Sequence, residues 1–289
     1  MPSRKGLAVL TASALLFLPG MLFSAPVKVV AAENFYGDIV SQLGGSLVTV
    51  TSILSDPNVD PHEYETNVAT AKLIASADLI VENSGGYDDW MDKLASASGK
   101  PRRLVKAYDL APTKLPENEH VWYQPQNVRA LAVALSAELK RLLPQDTAAL
   151  DARLKAFLER LKTVDDKIAA LKGKFFGVPV ALTETIYLYQ TGPLGLNVLT
   201  PFAFQKAVAE GDDPPAAQAV LAENQIRNGQ VKALIFNTQT STPATAKLLD
   251  LAKKASIPVV AVTETMPVGE TYQSWMLKQL SALERALIR

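Results

Sequence analysis

VKVVAAENFYGDIVSQLGGSLVTVTSIL, residues 27–54, reads as strand, helix, strand. Val27 to Ala31, apolar except for Lys28, is a candidate strand. Phe35 to Leu43 places its apolar residues on one helical face and stops at Gly44-Gly45, and Leu47 to Leu54 is rich in β-branched residues. Two strands joined through a helix run parallel, which puts the chain in the α/β class. The pattern continues with a helix near Val68 to Ala75, a strand Leu79 to Val81, a helix from Tyr87 to Ala97 and a strand near Leu104 to Ala107. In open α/β sheets, the loops that leave the carboxyl ends of the strands build the binding site.

The first such loop is Ser55-Asp56-Pro57-Asn58-Val59-Asp60-Pro61-His62-Glu63-Tyr64-Glu65. Its two Asx-Pro steps bias the backbone to extended and turn conformations and fix the direction of His62. Taken alone, His62 suits either a solvated loop imidazole or a metal ligand with carboxylates beside it. The other histidine, His120, follows a proline-broken connector from Pro112 to Pro116 and again lies outside regular structure.

Asn127 caps a helix with Leu131, Leu135, Leu139 and Leu142 on one face. From Pro144 a second helical pattern carries Leu150, Leu154, Phe157, Leu161, Val164, Ile168 and Leu171 at three- and four-residue spacing. At 1.5 Å per residue it spans roughly 40 Å, long enough to run past two lobes and join them; a helix lying flat on one domain is the competing reading. Past Gly173, Val178 to Leu182, Val231 to Phe236 and Ile257 to Val262 read as strands, Pro243 to Ala255 and Thr271 to Ile288 as helices. The segment Thr183 to Tyr189 reads as a loop. Glu184 and Glu264 then sit just past strand ends, as His62 and His120 do. Two imidazoles and two carboxylates converging in a cleft would close a four-residue site for a divalent ion, and each glutamate taken singly reads equally as a solvated loop residue.

At the other end, Arg4 and Lys5 precede an uncharged apolar run from Leu7 to Phe23, the pattern of a secretory signal over residues 1–25. Pro26 after Ala25 and the large Phe23 disfavour cleavage there, so a short retained anchor is the alternative. The sequence contains no cysteine, which excludes disulfides, thiolate ligands and a lipidated cysteine. Without the signal, 27 basic residues face 29 acidic ones, a balance that argues against nucleic acid as a partner. About 265 residues remain, enough for two modest lobes.

The segments Ala32-Glu33-Asn34-Phe35, Asp60-Pro61-His62-Glu63-Tyr64-Glu65, Ala77-Asp78-Leu79-Ile80, His120-Val121-Trp122, Glu184 with Tyr187 and Tyr189, Val231 to Phe236, and Glu264 followed by Thr271-Tyr272 resemble the bacterial metal-binding solute-binding proteins of ABC importers. The likeness covers nearly the whole mature chain. It implies two α/β lobes of mostly parallel sheets flanked by helices, over residues 26–141 and 173–289, bridged by one long helix over 142–172. It also implies metal ligands at His62, His120, Glu184 and Glu264. The divalent ion, Mn²⁺, Zn²⁺ or Fe²⁺, is then cargo for a membrane permease, and the protein is a periplasmic monomer and not an enzyme.

Some positions depart from that pattern. Glu184 stands where zinc importers resemble one another in having histidine, Glu264 where aspartate is usual, Asn237 where many have glutamate and Gln124 where many have aspartate. The connector Pro112 to Glu119 has no histidine-rich insertion. A second carboxylate suits a harder ion, which favours manganese or iron, although the Irving–Williams order makes any such site hold Zn²⁺ more tightly than Mn²⁺. A zinc hydrolase would need an His-Glu-x-x-His helix or an equivalent base, and the sequence has neither. An adhesion role would need no metal.

Overall fold

The computed structural model describes residues 25–56, 64–99 and 103–288. The first half contains β1 (Val27–Glu33), α1 (Asn34–Gly44), β2 (Val48–Leu54), α2 (Val68–Ser76), β3 (Leu79–Glu82), α3 (Trp90–Ala97), β4 (Arg103–Lys106), α4 (Ala107–Leu110) and α5 (Pro125–Leu142). After a 3₁₀ turn at Pro144–Asp146 comes α6 (Thr147–Phe175). The second half contains β5 (Pro179–Leu182), α7 (Leu188–Leu194), β6 (Asn197–Val198), α8 (Phe202–Ala209), α9 (Ala216–Arg227), β7 (Leu234–Asn237), α10 (Pro243–Lys254), β8 (Val259–Val262) and α11 (Tyr272–Ile288).

Each half builds one four-stranded sheet, in the orders β2-β1-β3-β4 and β6-β5-β7-β8. Every pairing is parallel. Val29 lies opposite Val50 and Leu79, Val81 opposite Val105, Leu182 opposite Ile235, and Leu234 opposite Val259. Past the exposed Lys28 the central strands are buried on both faces, which is why Val29 to Ala32 and Leu79 to Val81 read as apolar runs without alternation. Period-two geometry still sorts their side chains. Val29, Ala31, Leu79 and Val81 enter the large cluster against α1, α5 and α6, whereas Val30, Ala32 and Ile80 enter a smaller one under α2 and α3.

The large cluster does not stop at the first sheet. It continues through Phe157, Leu161, Val164 and Ile168 of α6 to Val180 and Leu182 of β5 and to Trp275, Met276 and Leu280 of α11. The long helix therefore packs against α1 and α5 on one side and α7 and α11 on the other. A helix of 29 residues is roughly 40 Å long, enough to serve both sheets. It is the bridge that its apolar spacing predicts, and not a helix laid on one lobe.

Local differences from the sequence reading have local causes. Asn127 does not cap α5. The helix begins at Pro125, whose fixed φ and missing N–H suit the first helical position, with Gln124 before it. The Asn127 amide instead donates to the carbonyls of Thr113 and Val121 and accepts from the Thr113 N–H, which ties down the proline-broken connector. α3 begins at Trp90, because Ser84, Gly85 and Gly86 adopt positive φ and turn the chain first. A Cβ on Gly85 would lie 2.6 Å from the Tyr108 ring, so this turn also needs glycine for space. The expected loop Thr183 to Tyr189 is a 3₁₀ turn running into α7, and the strand expected from Val231 begins at Leu234. No described helix is long and apolar enough to cross a membrane.

Candidate metal centre

Of the four residues expected to hold the ion, His62 lies outside the described residues. The described chain on either side of it is anchored. Asp56 offers its carbonyl to the Thr265 hydroxyl at 3.5 Å, and Tyr64 bonds Thr70 at 2.6 Å with its ring 4.7 Å from that of Trp90.

The other three are buried: His120 is 0 % exposed, Glu184 2 % and Glu264 1 %. His120 precedes a 3₁₀ turn, Val121–Tyr123, that inserts Trp122 into the core, stacked on Phe35 at 4.8 Å. Its ring lies edge-on to Trp122 at 5.1 Å and to Tyr87 at 6.0 Å. Asn118 fixes it locally, with Oδ1 3.0 Å from both the His120 N–H and ring Nδ1. The Asn118 amide donates to the Thr185 carbonyl at 2.9 Å, which couples this first-half loop to the second half.

Glu184 leaves β5 and caps the turn Thr185–Tyr187, its Oε2 accepting from the Ile186 N–H at 2.7 Å. The Thr185 hydroxyl stands 3.4 Å from this same oxygen and 3.4 Å from His120 Nδ1, so one hydroxyl spans both candidate ligands.

Glu264 follows β8. Its Oε1 accepts from Asn237 Nδ2 at 2.7 Å and from the Thr240 hydroxyl at 3.4 Å, and its Oε2 accepts from the Tyr87 hydroxyl at 2.8 Å. Gln239 Oε1 accepts its backbone N–H at 2.6 Å. Asn237 thus positions the carboxylate from the end of β7, and Tyr87 reaches it from the other half of the chain. Burial raises the Tyr87 hydroxyl well above its ordinary range, with Glu264 and Glu33 adding to the effect, so it stays a donor.

The structure therefore brings His120, Glu184 and Glu264 to the junction of the two sheets. Each is oriented by its own hydrogen-bond partners. Among the described residues, no three His, Cys, Asp or Glu side chains close on a point as a metal-holding group. The contributions that the sequence reading missed are Tyr87, Asn118, Thr185 and Thr240. Of these, Tyr87 carried a usable signal: an aromatic residue directly after a diglycine at the carboxyl end of a strand.

Polar contacts lock the halves together around this junction. Asn34 and Met266 exchange two hydrogen bonds of 2.6 and 2.9 Å, the Tyr272 N–H donates to Asp38 at 2.8 Å, and the Tyr123 hydroxyl donates to the Thr263 carbonyl at 2.7 Å.

Comparison with known proteins agrees with this architecture. The metal ABC transporter substrate-binding lipoprotein SsaB of Streptococcus sanguinis is 23 % identical over 291 residues, covering 92 % of this chain and 91 % of its own. The manganese ABC transporter substrate-binding lipoprotein ScaA of Streptococcus gordonii is 22 % identical over 291 residues, covering 92 % and 90 %. The solved periplasmic zinc-binding protein TroA of Treponema pallidum superposes with a TM-score of 0.79 at 18 % identity, over 92 % of this chain and 100 % of its own. The sequence profile of ZnuA, the periplasmic zinc-uptake complex component A, matches residues 29–286. With nearly the whole described chain matched, this protein belongs to that family of metal-uptake components, the solute-binding subunits that serve the permease and ATPase of ABC transporters and are not enzymes.

Proposed function

We propose that this protein captures a divalent transition metal between two lobes, residues 26–141 and 173–289 joined through the helical segment 142–172, and hands it to a membrane permease. The ligands are His62, His120, Glu184 and Glu264. The observation that carries this reading is the burial of His120, Glu184 and Glu264 at one junction, joined through Thr185, Tyr87 and Asn237 although they come from both halves of the chain.

The cargo follows from the donors. Two imidazoles and two carboxylates form a harder shell than three imidazoles and one carboxylate, which favours Mn²⁺ or Fe²⁺. Zn²⁺ is the competing cargo, because the Irving–Williams order gives it the tighter complex in open competition, so metal supply decides which ion is carried. The relatives' names include manganese, iron and zinc, and the TroA likeness extends to the fold alone. The protein works as a single copy in the periplasm. The sequence holds no cysteine for a lipid to be attached to, whereas the relatives SsaB and ScaA are named as lipoproteins.

Elemental analysis of protein purified from the export compartment without added metal tests the reading. One equivalent of Mn²⁺, Fe²⁺ or Zn²⁺ in wild type, lost in His120→Ala, supports it. Metal-free wild type that binds none of the three ions on titration overturns it.

A further inference from the structure

Glu33, Glu82 and Asp88 lie 0 % exposed behind the Tyr87 loop, and none of them is an expected ligand. Glu33 is the last residue of β1 and Glu82 the last of β3, so the parallel register brings both to the carboxyl end of the sheet. Asp88 sits in the turn that follows. Its two oxygens accept from the Asn83 N–H at 2.6 Å and the Ser84 N–H at 2.5 Å, which pins the positive-φ turn carrying Tyr87.

Glu33 has a different environment. Among the described residues, no donor reaches either of its carboxyl oxygens, yet its side chain lies within hydrogen-bonding range of Asp88. Two carboxylates in contact repel, and out of water that repulsion is large; a carboxylic acid against a carboxylate makes a strong hydrogen bond. Asp88 already accepts two backbone N–H groups and is the better anion. We propose that Glu33 and Asp88 share one proton, held on Glu33, and that this pair is the positioning element that aims the Tyr87 hydroxyl at Glu264.

The surrounding charges favour the shared proton. Glu82 adds a third carboxyl. Among the described residues Lys106, on β4, is the cation facing the group, at 3.4 Å from Glu82 and 2.8 Å from Asp92 of α3. Asp89 adds negative charge beside Asp88. Tyr36 of α1 is buried and neutral and donates to Asn83 Oδ1 at 2.6 Å. Burial first, and then Asp88 and Glu82, raise the Glu33 carboxyl well above the usual range. The inference rests on Glu264 being a ligand only for its effect on metal; the pair itself is independent of that reading.

Two measurements test it. The first uses metal-free protein. A carboxyl with a folded pKa above its unfolded value contributes stability that is complete below the unfolded pKa and lost as pH rises. Glu33→Gln keeps a donor toward Asp88 without the titration. As pH rises above the ordinary glutamate value, its unfolding constant should fall steadily relative to that of wild type, with tenfold per pH unit as the limit that one proton sets. Parallel profiles would overturn the shared proton.

The second measurement is Zn²⁺ affinity by competition with a chelator. Glu33→Gln should stay within about twofold of wild type, while Glu33→Ala should lose on the order of fivefold or more. In a Tyr87→Phe background the same Glu33→Ala change should cost nothing further. Additive losses in the double variant would overturn the positioning role. A Glu264→Ala variant with wild-type affinity would retire the site reading instead, and the pair would then stand or fall on the unfolding profiles.

Discussion

The hydroxyl of Tyr87 donates to Oε2 of Glu264 at 2.8 Å, a bond between residues 177 positions apart that belong to opposite halves of the chain. With Asn237 on Oε1, both oxygens of the carboxylate are committed to neutral donors, so Glu264 meets an ion already oriented.

Removing that hydroxyl leaves a buried carboxylate one donor short. Tyr87→Phe should lower the stability of the metal-free protein by about 1.5 to 3 kcal/mol, the usual worth of a hydrogen bond to a charged group. Urea unfolding with the midpoint and slope both fitted checks this, and a change below about 0.5 kcal/mol would mean that solvent replaces the tyrosine.

His120 offers the ion its only described imidazole, and His62→Ala and His120→Ala should each abolish tight binding of any divalent ion. His120→Ala also opens a cavity beside Trp122 and Tyr87, so circular dichroism must first show a folded protein. Isothermal titration then reads the stoichiometry, and an unchanged value of one in either variant would remove that residue from the site.

At Glu184, histidine exchanges a charged oxygen ligand for a borderline nitrogen. Glu184→His should cost Mn²⁺ clearly more affinity than Zn²⁺, a shift in preference on the order of tenfold, about 1.4 kcal/mol. Equal losses for the two ions, titrated side by side, would show that this position does not set selectivity.

Glu82 gives the fold an unusual pH dependence. Burial, with Asp88 adding to it and Lys106 opposing, pushes its carboxyl from 4.5 up to about 8. Because the folded value is the higher one, the contribution is complete below pH 4.5 and is lost as pH rises to about 8. Glu82→Gln should therefore gain stability over wild type through that window and level off above it. Metal-free unfolding midpoints at a series of pH values decide the matter, and a constant difference would refute it.

Trp122 is the packing counterpart of His120. It is fully buried and stacked on Phe35, and Trp122→Ala should cost about 3 to 5 kcal/mol. Phe35→Leu at the same contact should cost less. Thermal and urea denaturation would give the order, and a smaller loss for Trp122→Ala would contradict the stacking of Trp122 on Phe35.

What sequence alone determined are the properties that short-range patterns control. Short apolar runs located β1, β3 and β5 to within a residue or two, and three- and four-residue spacing located α6. Placing the candidate ligands past strand ends followed from the rule that parallel sheets present their carboxyl-end loops on one side. Phe202–Ala209 and Ala216–Arg227 went unread, because their apolar residues face a small separate cluster and their outer faces carry exposed Phe202, Val220 and Leu221, which blurs the period.

Tertiary structure alone decided who stands beside whom. Nothing in the spacing of Glu33, Glu82 and Asp88 predicts three buried carboxyls gathered at the carboxyl ends of β1 and β3, and nothing near Glu264 in the sequence announces Tyr87. Those contacts depend on strand register and on the packing of two sheets across one helix, and both are set by the whole core at once. A one-residue slip in β1 would turn Glu33 to the other face and leave the local sequence unchanged.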